Sequence, residues 1–284
     1  GGGKGFDEGC SLEATKEAVE AAGGKCVPVR VDHGDDAEVE AFFERVSAET
    51  GGQLDMLVNN VYQGVDAVFA SSDTPFWEKP PAHWDAINNV GLRSHYIATV
   101  FAARAMLRHG NGGIIANISS WGGFAPIFDV AYGVGKAAVD RLAADAAKPL
   151  RPHGVASVSM YPGAVKTEFM DKKRVLRRLG AGTVALAESP VYTGRVLAAM
   201  LGDRERVLKE DSGKVVVVAE AAKRYGIVDV DGLYKVSFRS LRGVAVQALA
   251  GKGKKWTAWA QRLVPDVCVP WIIMVWAALV SPRM

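Results

Sequence analysis

Ile114-Ile-Ala-Asn-Ile118 is a short apolar run that leads directly into Ser119-Ser120. A run of this kind is typical of a strand that is buried on both faces of a parallel sheet. Two further runs also end in polar or turn-forming residues, one at Asn59-Asn60 and one, Val155 to Tyr161, at Pro162-Gly163. Because ligands bind at the carboxyl edge of a doubly wound sheet, the three runs predict an α/β fold with its site at that edge.

The segment from Tyr132 to Arg151 is predicted to be helical, and it begins with Tyr132 and Lys136 four residues apart. Positions i and i+4 lie on one face of a helix. An ammonium group near a phenol favours the phenolate, so we expect Lys136 to lower the pKa of Tyr132 from about 10. A hydroxyl from Ser119 or Ser120 would hydrogen-bond a substrate oxygen while Tyr132 transfers the proton.

These motifs and their order resemble the short-chain dehydrogenase/reductase family over roughly residues 12 to 220. The matching positions are Asp32 after an expected strand Val27 to Val31, Asn59-Asn60, Ser119-Ser120, Tyr132 with Lys136, and Pro162-Gly163 through Thr167. The resemblance implies a Rossmann-like doubly wound sheet and an enzyme that interconverts a carbonyl and an alcohol of a small molecule. It also implies NAD or NADP as cofactor and does not distinguish between them.

The resemblance further implies a catalytic group in which Tyr132 is the general acid or base. Lys136 would tune Tyr132 and bind the nicotinamide ribose, and a serine would orient the substrate oxygen. Ser119 lies thirteen residues before Tyr132, which is the common spacing in the family, whereas the strand-end pattern favours Ser120. Both serines therefore remain candidates.

The family's fourth catalytic residue is an asparagine placed seven positions after an aromatic. Counted from Trp84, that position is Gly91, so this chain departs from the pattern. Asn89 fills the role only if the predicted helix from Trp84 to Arg108, otherwise continuous, bulges near Gly91.

On the adenosine side of the expected cofactor cleft, the resemblance assigns Asp32 to adenine and Asn59 to the wall, while Asn60 would bond between strands. The family usually has Ala-Gly after the two asparagines. This chain has Val61-Tyr62 instead, and Gly64 is left to make the turn.

On the nicotinamide side, Pro162 and Gly163 would shape the loop, and Val165 would donate its backbone N–H to the carboxamide. Thr167, at an expected helix start, would bind phosphate. Simple capping is the alternative role for Asp32 and Thr167.

The ends of the chain are predicted to lie outside the core fold. Gly1 to Gly5 is glycine-rich but has no strand before it, so the sequence predicts a ragged segment over 1–11 and a family domain over 12–225 that lacks its first βαβ unit. A C-terminal extension with an apolar tail would cover 226–284. The alternative function is that of a truncated remnant that cannot use cofactor and acts as a binding or membrane-associated protein.

The composition and charge of the chain limit the kinds of partner that it is expected to bind. The net charge of +3 on 284 residues argues against a nucleic-acid partner, and the five histidines show no spacing typical of metal ligands. The uncharged run from Val267 to Val280 is shorter than the roughly 20 residues of a bilayer span. Residues 256–280 therefore suit either peripheral membrane contact or a buried helix or subunit contact in a homo-oligomer. Three scattered cysteines suit a reducing compartment, and the family resemblance implies a location in the cytoplasm or at the cytoplasmic face of the endoplasmic reticulum.

Overall fold

The computed structural model describes residues 11–71, 73–167, 181–249 and 254–270. Its sheet has four parallel strands in the order β1-β2-β3-β4. Their bounds are β1 Met56–Asn59, β2 Gly113–Ile118, β3 Val155–Tyr161 and β4 Val215–Val217. The pairs Met56 with Ile114, Gly113 with Val155 and Ser159 with Val215 fix the register, and all four carboxyl ends meet at one edge.

Helices connect the strands and cover both faces of the sheet. Those before β3 are α1 Leu12–Ala21, α2 Asp36–Thr50, α3 Val65–Ala70, α4 Ala82–Asn88, α5 Ser94–His109 and α6 Val130–Leu150. Those after β3 are α7 Ala181–Leu186, α8 Pro190–Gly202, α9 Arg204–Arg206, α10 Val218–Arg224, α11 Leu241–Leu249 and α12 Lys254–Leu263. Single 3-10 turns lie at Phe76–Glu78, Trp121–Gly123 and Arg151–His153, and π turns at Asn89–Arg93 and Val207–Asp211.

The core has one layer on each face of the sheet, because neighbouring residues of a strand point to opposite faces. Ile114 packs with Val196 and Met200 of α8, whereas Ile115 packs with Val39 of α2 and Ala102 of α5. Both isoleucines are fully buried, and each such burial stabilises the fold by about 2 kcal/mol. The predicted α/β doubly wound fold is confirmed.

Three predicted elements are corrected. Val27 to Val31 is extended but forms no strand, and within the described residues β1 is the edge of the sheet, so this segment has no ladder to join. The apolar run from Gly213 to Ala219 predicts a last core strand, but the strand is only Val215–Val217, because α10 begins at Val218. The predicted helix from Trp84 to Arg108 is broken, since Gly91 has φ 135° and cannot continue an α-helix.

The two termini fall largely outside the described residues. This applies to Gly1 to Gly5 and to the tail beyond residue 270. None of the described helices combines the length and the apolar character needed to cross a bilayer.

Candidate active site

Tyr132 and Ser120 meet at the carboxyl edge of β2. The Tyr132 hydroxyl donates to Ser120 Oγ at 2.7 Å. Ser120 follows β2 by two residues, and its Oγ also accepts from the Gly122 N–H at 3.0 Å. The strand end and the first turn of α6 therefore bring the two hydroxyls together.

Asp129 fixes the start of α6, and with it Tyr132. Its carboxylate accepts from the backbone N–H groups of Ala131 and Tyr132 as an N-cap. It also forms a buried ion pair with Lys79 and lies 3.2 Å from His83 Nε2. Burial opposes ionisation of this carboxyl, but the hydrogen bonds from Lys79 and His83 hold its pKa below the usual range.

Lys136 lies one turn after Tyr132 on α6 and is buried, with 7% of its surface exposed. Its ammonium donates to the Ile118 carbonyl at 3.1 Å. Burial lowers the pKa of Lys136 to about 8, and the nearby Asp140 carboxylate opposes that shift. Lys136 is therefore charged at neutral pH, although its burial disfavours that charge.

The expected lowering of the Tyr132 pKa is not found. Burial raises the pKa of the phenol above its ordinary value, and the hydrogen bond with Ser120 only partly offsets this. The phenol is therefore protonated at neutral pH, because burial disfavours its charged form.

The two candidate serines have different surroundings. Ser119 is buried, and its hydroxyl donates to the Lys136 backbone carbonyl at 3.1 Å, which ties β2 to α6. Ser120 is the serine that reaches Tyr132. The position of Ser119 suits a structural role, and Ser120 is the candidate that contacts the Tyr132 hydroxyl.

Asp140 was not predicted as a site residue, yet it is the charged neighbour of Lys136. It accepts from Ser159 Oγ at 2.6 Å and from the Tyr161 hydroxyl at 2.5 Å. Burial raises its pKa, while hydrogen bonds from Ser159, Tyr161 and Ser119 oppose the rise. A carboxyl group four residues after a lysine is too common on helices to have marked this position from sequence.

The break in the predicted helix does not bring Asn89 to Tyr132. Asn89 is exposed and lies on the side of Asp32 and Gly34. Its neighbour Asn88 is buried instead, and its Nδ2 donates to the Ala131 carbonyl of α6 at 3.1 Å. Asn88 and Asn89 both precede the non-helical residues Val90 and Gly91, and successive positions of a helix face about 100° apart. The prediction for Asn89 is therefore corrected, because Asn88, not Asn89, faces the helix of Tyr132.

The two asparagines at the end of β1 also differ from the prediction. Asn59 is buried, and its Nδ2 donates to Asn117 Oδ1, Thr99 Oγ1 and the His95 carbonyl. Asn60 is exposed. The Asn59 side chain thus joins β1 to β2 and α5 inside the core, and it does not line the cleft.

An open cavity of about 1270 Å³ is lined by the segment 29–33, by α2 and by the loop after β1. Asp32 and Tyr62 both line it. Asp32 is exposed, and its Oδ1 accepts from the Gly34 N–H at 2.8 Å within the turn before α2, whose N-cap is Asp35.

Tyr62 lies where the family usually has glycine, and no role was predicted for it from the sequence. Its ring centre lies 4.8 Å from Lys136 Nζ and 6.0 Å from the ring centre of Tyr132. The Tyr62 side chain therefore forms one wall of the space around the candidate catalytic pair.

The loop after β3 is held by a buried glutamate that sequence reasoning missed. Val165 pairs with Glu188 in a parallel bridge, in which the Glu188 N–H donates to Ala164 and the Lys166 N–H donates to Glu188. The Val165 N–H consequently points to the other side of the segment, as its predicted role requires. The Gly163 N–H bonds to the Glu188 carboxyl, whose pKa burial raises to about 7.

Pro162 and Gly163 thus lie in a braced loop at the end of β3. Thr167 closes the described part of this loop, with its N–H donating to the Val165 carbonyl at 2.9 Å. The helix that Thr167 was expected to begin falls on 168–180, outside the described residues.

The comparisons with known proteins agree with this architecture. Residues 8–177 match the family model described as short chain dehydrogenase. The chain is 41% identical to mouse "Dehydrogenase/reductase SDR family member 1" over 94% of this chain and 85% of that protein. It is 40% identical to the human protein of the same name, over 94% of this chain and 86% of that one.

A solved structure shows the same fold. A short-chain type dehydrogenase/reductase from Mycobacterium marinum superposes with a TM-score of 0.60 at 24% identity, covering 72% of this chain and 79% of that one. At that identity the likeness concerns the fold alone.

Proposed function

The chain belongs to the short-chain dehydrogenase family, and we propose that it is an NAD(P)-dependent oxidoreductase that interconverts a carbonyl and an alcohol at Ser120, Tyr132 and Lys136. The observation that carries the proposal is the 2.7 Å hydrogen bond from the Tyr132 hydroxyl to Ser120, with Lys136 one turn further along the same helix. Two hydroxyls that already contact each other can bind one oxygen atom together.

In the reductive direction, Ser120 and Tyr132 would each donate a hydrogen bond to the substrate carbonyl oxygen. A bound NAD(P)H supplies hydride to the carbonyl carbon. The proton on the oxygen comes from Tyr132, and the Lys136 ammonium stabilises the resulting phenolate. The raised pKa of Tyr132 supports this direction, because the phenol starts with its proton in place.

The residues present fit the nicotinamide half of such a cofactor. Lys136 would hold the ribose, the Pro162–Val165 loop would border the nicotinamide, and the cavity beside Asp32 leaves space for the adenosine. Within the described ranges no glycine-rich turn links a strand to a helix at this edge, so we assign no phosphate contacts.

A titration of this chain with NADH and with NADPH, followed by nucleotide fluorescence, tests the proposal and separates the two cofactors. Saturable binding together with turnover of a carbonyl substrate is expected. Tyr132→Phe should retain binding and lose turnover by at least about a thousandfold. Absence of binding by either nucleotide would instead favour the alternative of a binding protein without catalysis.

Membrane contact through residues 256–280, a place at the cytoplasmic face of the endoplasmic reticulum and self-association remain predictions from the sequence. Trp259 on α12 is 47% exposed, which suits the membrane contact. Co-sedimentation with anionic vesicles tests it, and light scattering measures the oligomeric state.

A further inference from the structure

Two departures from the family pattern meet in space. Tyr62 stands where the family usually has glycine, and Gly91 stands where it has the fourth catalytic asparagine. A Cβ added at Gly91 would collide with the ring of Tyr62. One added at Gly64 would lie 2.6 Å from the Tyr62 hydroxyl. The ring therefore fills a slot that both glycines leave open.

The backbone on either side of Tyr62 fixes the ring in that slot. The Val61 carbonyl lies 3.0 Å from His95 Nε2, and the Gln63 N–H donates to the Val90 carbonyl at 3.2 Å. Both partners belong to the helix break and the start of α5, so the loop after β1 and the break at Gly91 are joined around Tyr62.

The ring face, not the hydroxyl, makes the polar contact with the site. Lys136 Nζ lies 4.8 Å from the ring centre, within the range of a cation–π interaction. The Tyr62 hydroxyl is buried and finds no hydrogen-bond partner among the described residues. Burial also raises the pKa of Tyr62 far above its ordinary value, so the phenol stays neutral.

We propose that Tyr62 is a positioning residue, whose ring holds the Lys136 ammonium beside Tyr132 in the space where the family's asparagine side chain would lie. This inference rests on the proposed function. A quadrupolar ring can stabilise a desolvated cation without offering it a competing anion. The site thereby keeps a charged lysine although it lacks the asparagine.

The first test needs no cofactor and measures the thermal stability of a double-mutant cycle. Gly91→Asn is expected to be strongly destabilising, because φ at Gly91 is 135° and the new Cβ meets Tyr62. Tyr62→Gly removes the collision but not the backbone strain. The double variant should therefore lose less stability than the sum of the two single variants. Additive losses would show that the ring and Gly91 are not coupled, and would overturn the packing argument.

The second test measures the charge of Lys136 directly. Competitive acylation of the full chain between about pH 6 and pH 10, read by mass spectrometry of the peptide carrying Lys136, gives its pKa without any nucleotide. Tyr62→Leu should lower that pKa, because leucine keeps the site dry without a ring face. Tyr62→Phe should move it much less. Equal shifts in both variants would overturn the inference.

Turnover completes the test. If the chain reduces a carbonyl substrate, Tyr62→Leu should lower kcat about five- to tenfold at neutral pH and shift the pH profile, with Tyr62→Phe recovering most of the loss. Normal turnover and an unchanged profile in Tyr62→Leu would reject the role of Tyr62 and leave the proposed function standing. A wild-type chain without turnover would reject the function, while the acylation and stability tests would still judge the contact.

Discussion

The two sides of the cleft are built from different interactions. Around Tyr132, polar groups such as Lys136 and Glu188 are buried and bonded to backbone or hydroxyl partners. Around Asp32, the polar groups face solvent, and the ion pair between Arg93 and Asp36 leaves about half of each side chain exposed. Buried bonds set a geometry before any ligand arrives, whereas exposed pairs are screened and contribute little. The side around Tyr132, to which we assign proton transfer, is therefore preorganised, whereas the side around Asp32, to which we assign the nucleotide, is not.

The largest expected effect comes from replacing, one at a time, the two serines that follow β2. Ser120→Ala is expected to lower kcat by about a hundredfold with little change in stability, because it removes a hydroxyl aimed at the substrate oxygen. Ser119→Ala is the matched control. It should act mainly on stability, since Ser119 bonds to the Lys136 carbonyl. Steady-state rates and melting temperatures of both variants decide, and the reverse pattern would show that the wrong serine has been assigned.

The next largest effect is the pH dependence of stability that Glu188 contributes. Its pKa rises from an ordinary 4.5 to about 7 in the folded chain, so the folded state binds the proton more tightly. The stabilisation is complete below about pH 4.5 and is lost as the pH rises through about 7, amounting to at most about 3 kcal/mol.

Glu188→Gln keeps the shape of the side chain and removes the titration. Urea unfolding at a series of pH values should show that the variant loses this slope between about pH 4.5 and pH 7. Parallel curves for wild type and variant would mean that the carboxyl is not the titrating group.

A smaller difference in unfolding free energy is expected between variants of the two asparagines at the end of β1. Asn59→Ala should cost about 2 kcal/mol of unfolding free energy, because its amide joins Asn117, Thr99 and the His95 carbonyl in the core. Asn60→Ala, at an exposed position, should change little. Chemical denaturation measures both, and a larger loss for Asn60 would restore the original prediction from the sequence.

The smallest effect is expected on the exposed side. Arg93→Ala breaks the ion pair with Asp36, and we expect no measurable change in melting temperature at physiological salt. A clear destabilisation would show that the nucleotide side is more firmly organised than the comparison holds.

The sequence predicted the elements that depend on continuous burial. The apolar run from Val155 to Tyr161 coincides with β3, and the amphipathic pattern from Ala37 to Thr50 predicts the helix Asp36–Thr50 almost to the residue. Apolar patterning succeeds there because it follows the buried face of each element. Val27 to Val31 shows the same patterning but has no strand to pair with, which composition cannot reveal. Patterning therefore identifies strand-forming segments and does not establish their neighbours.

The site was harder to predict because it depends on the direction in which each side chain points. Which serine faces Tyr132 and which asparagine turns inward each follow from a single step along the backbone. Glu188 carried no local signal, since its partner Gly163 is distant in sequence. Tyr62 and Gly91 were visible as unusual residues, but only the fold shows that they touch.

The cap of α6 ties the position of Tyr132 to the chain segment that contains Lys79 and His83. Asp129 holds the backbone of Tyr132 and is itself held by Lys79 and His83, which belong to the segment before α4 and to α4 itself. Phe76 and Trp77, just upstream, are largely exposed. They can be randomised in a library without disturbing the contacts of Lys79 and His83 with Asp129. Replacing the segment that contains Lys79 and His83 would instead remove the contacts that hold Asp129, and with them the position of Tyr132. Selection for a new substrate should therefore leave those two residues unchanged.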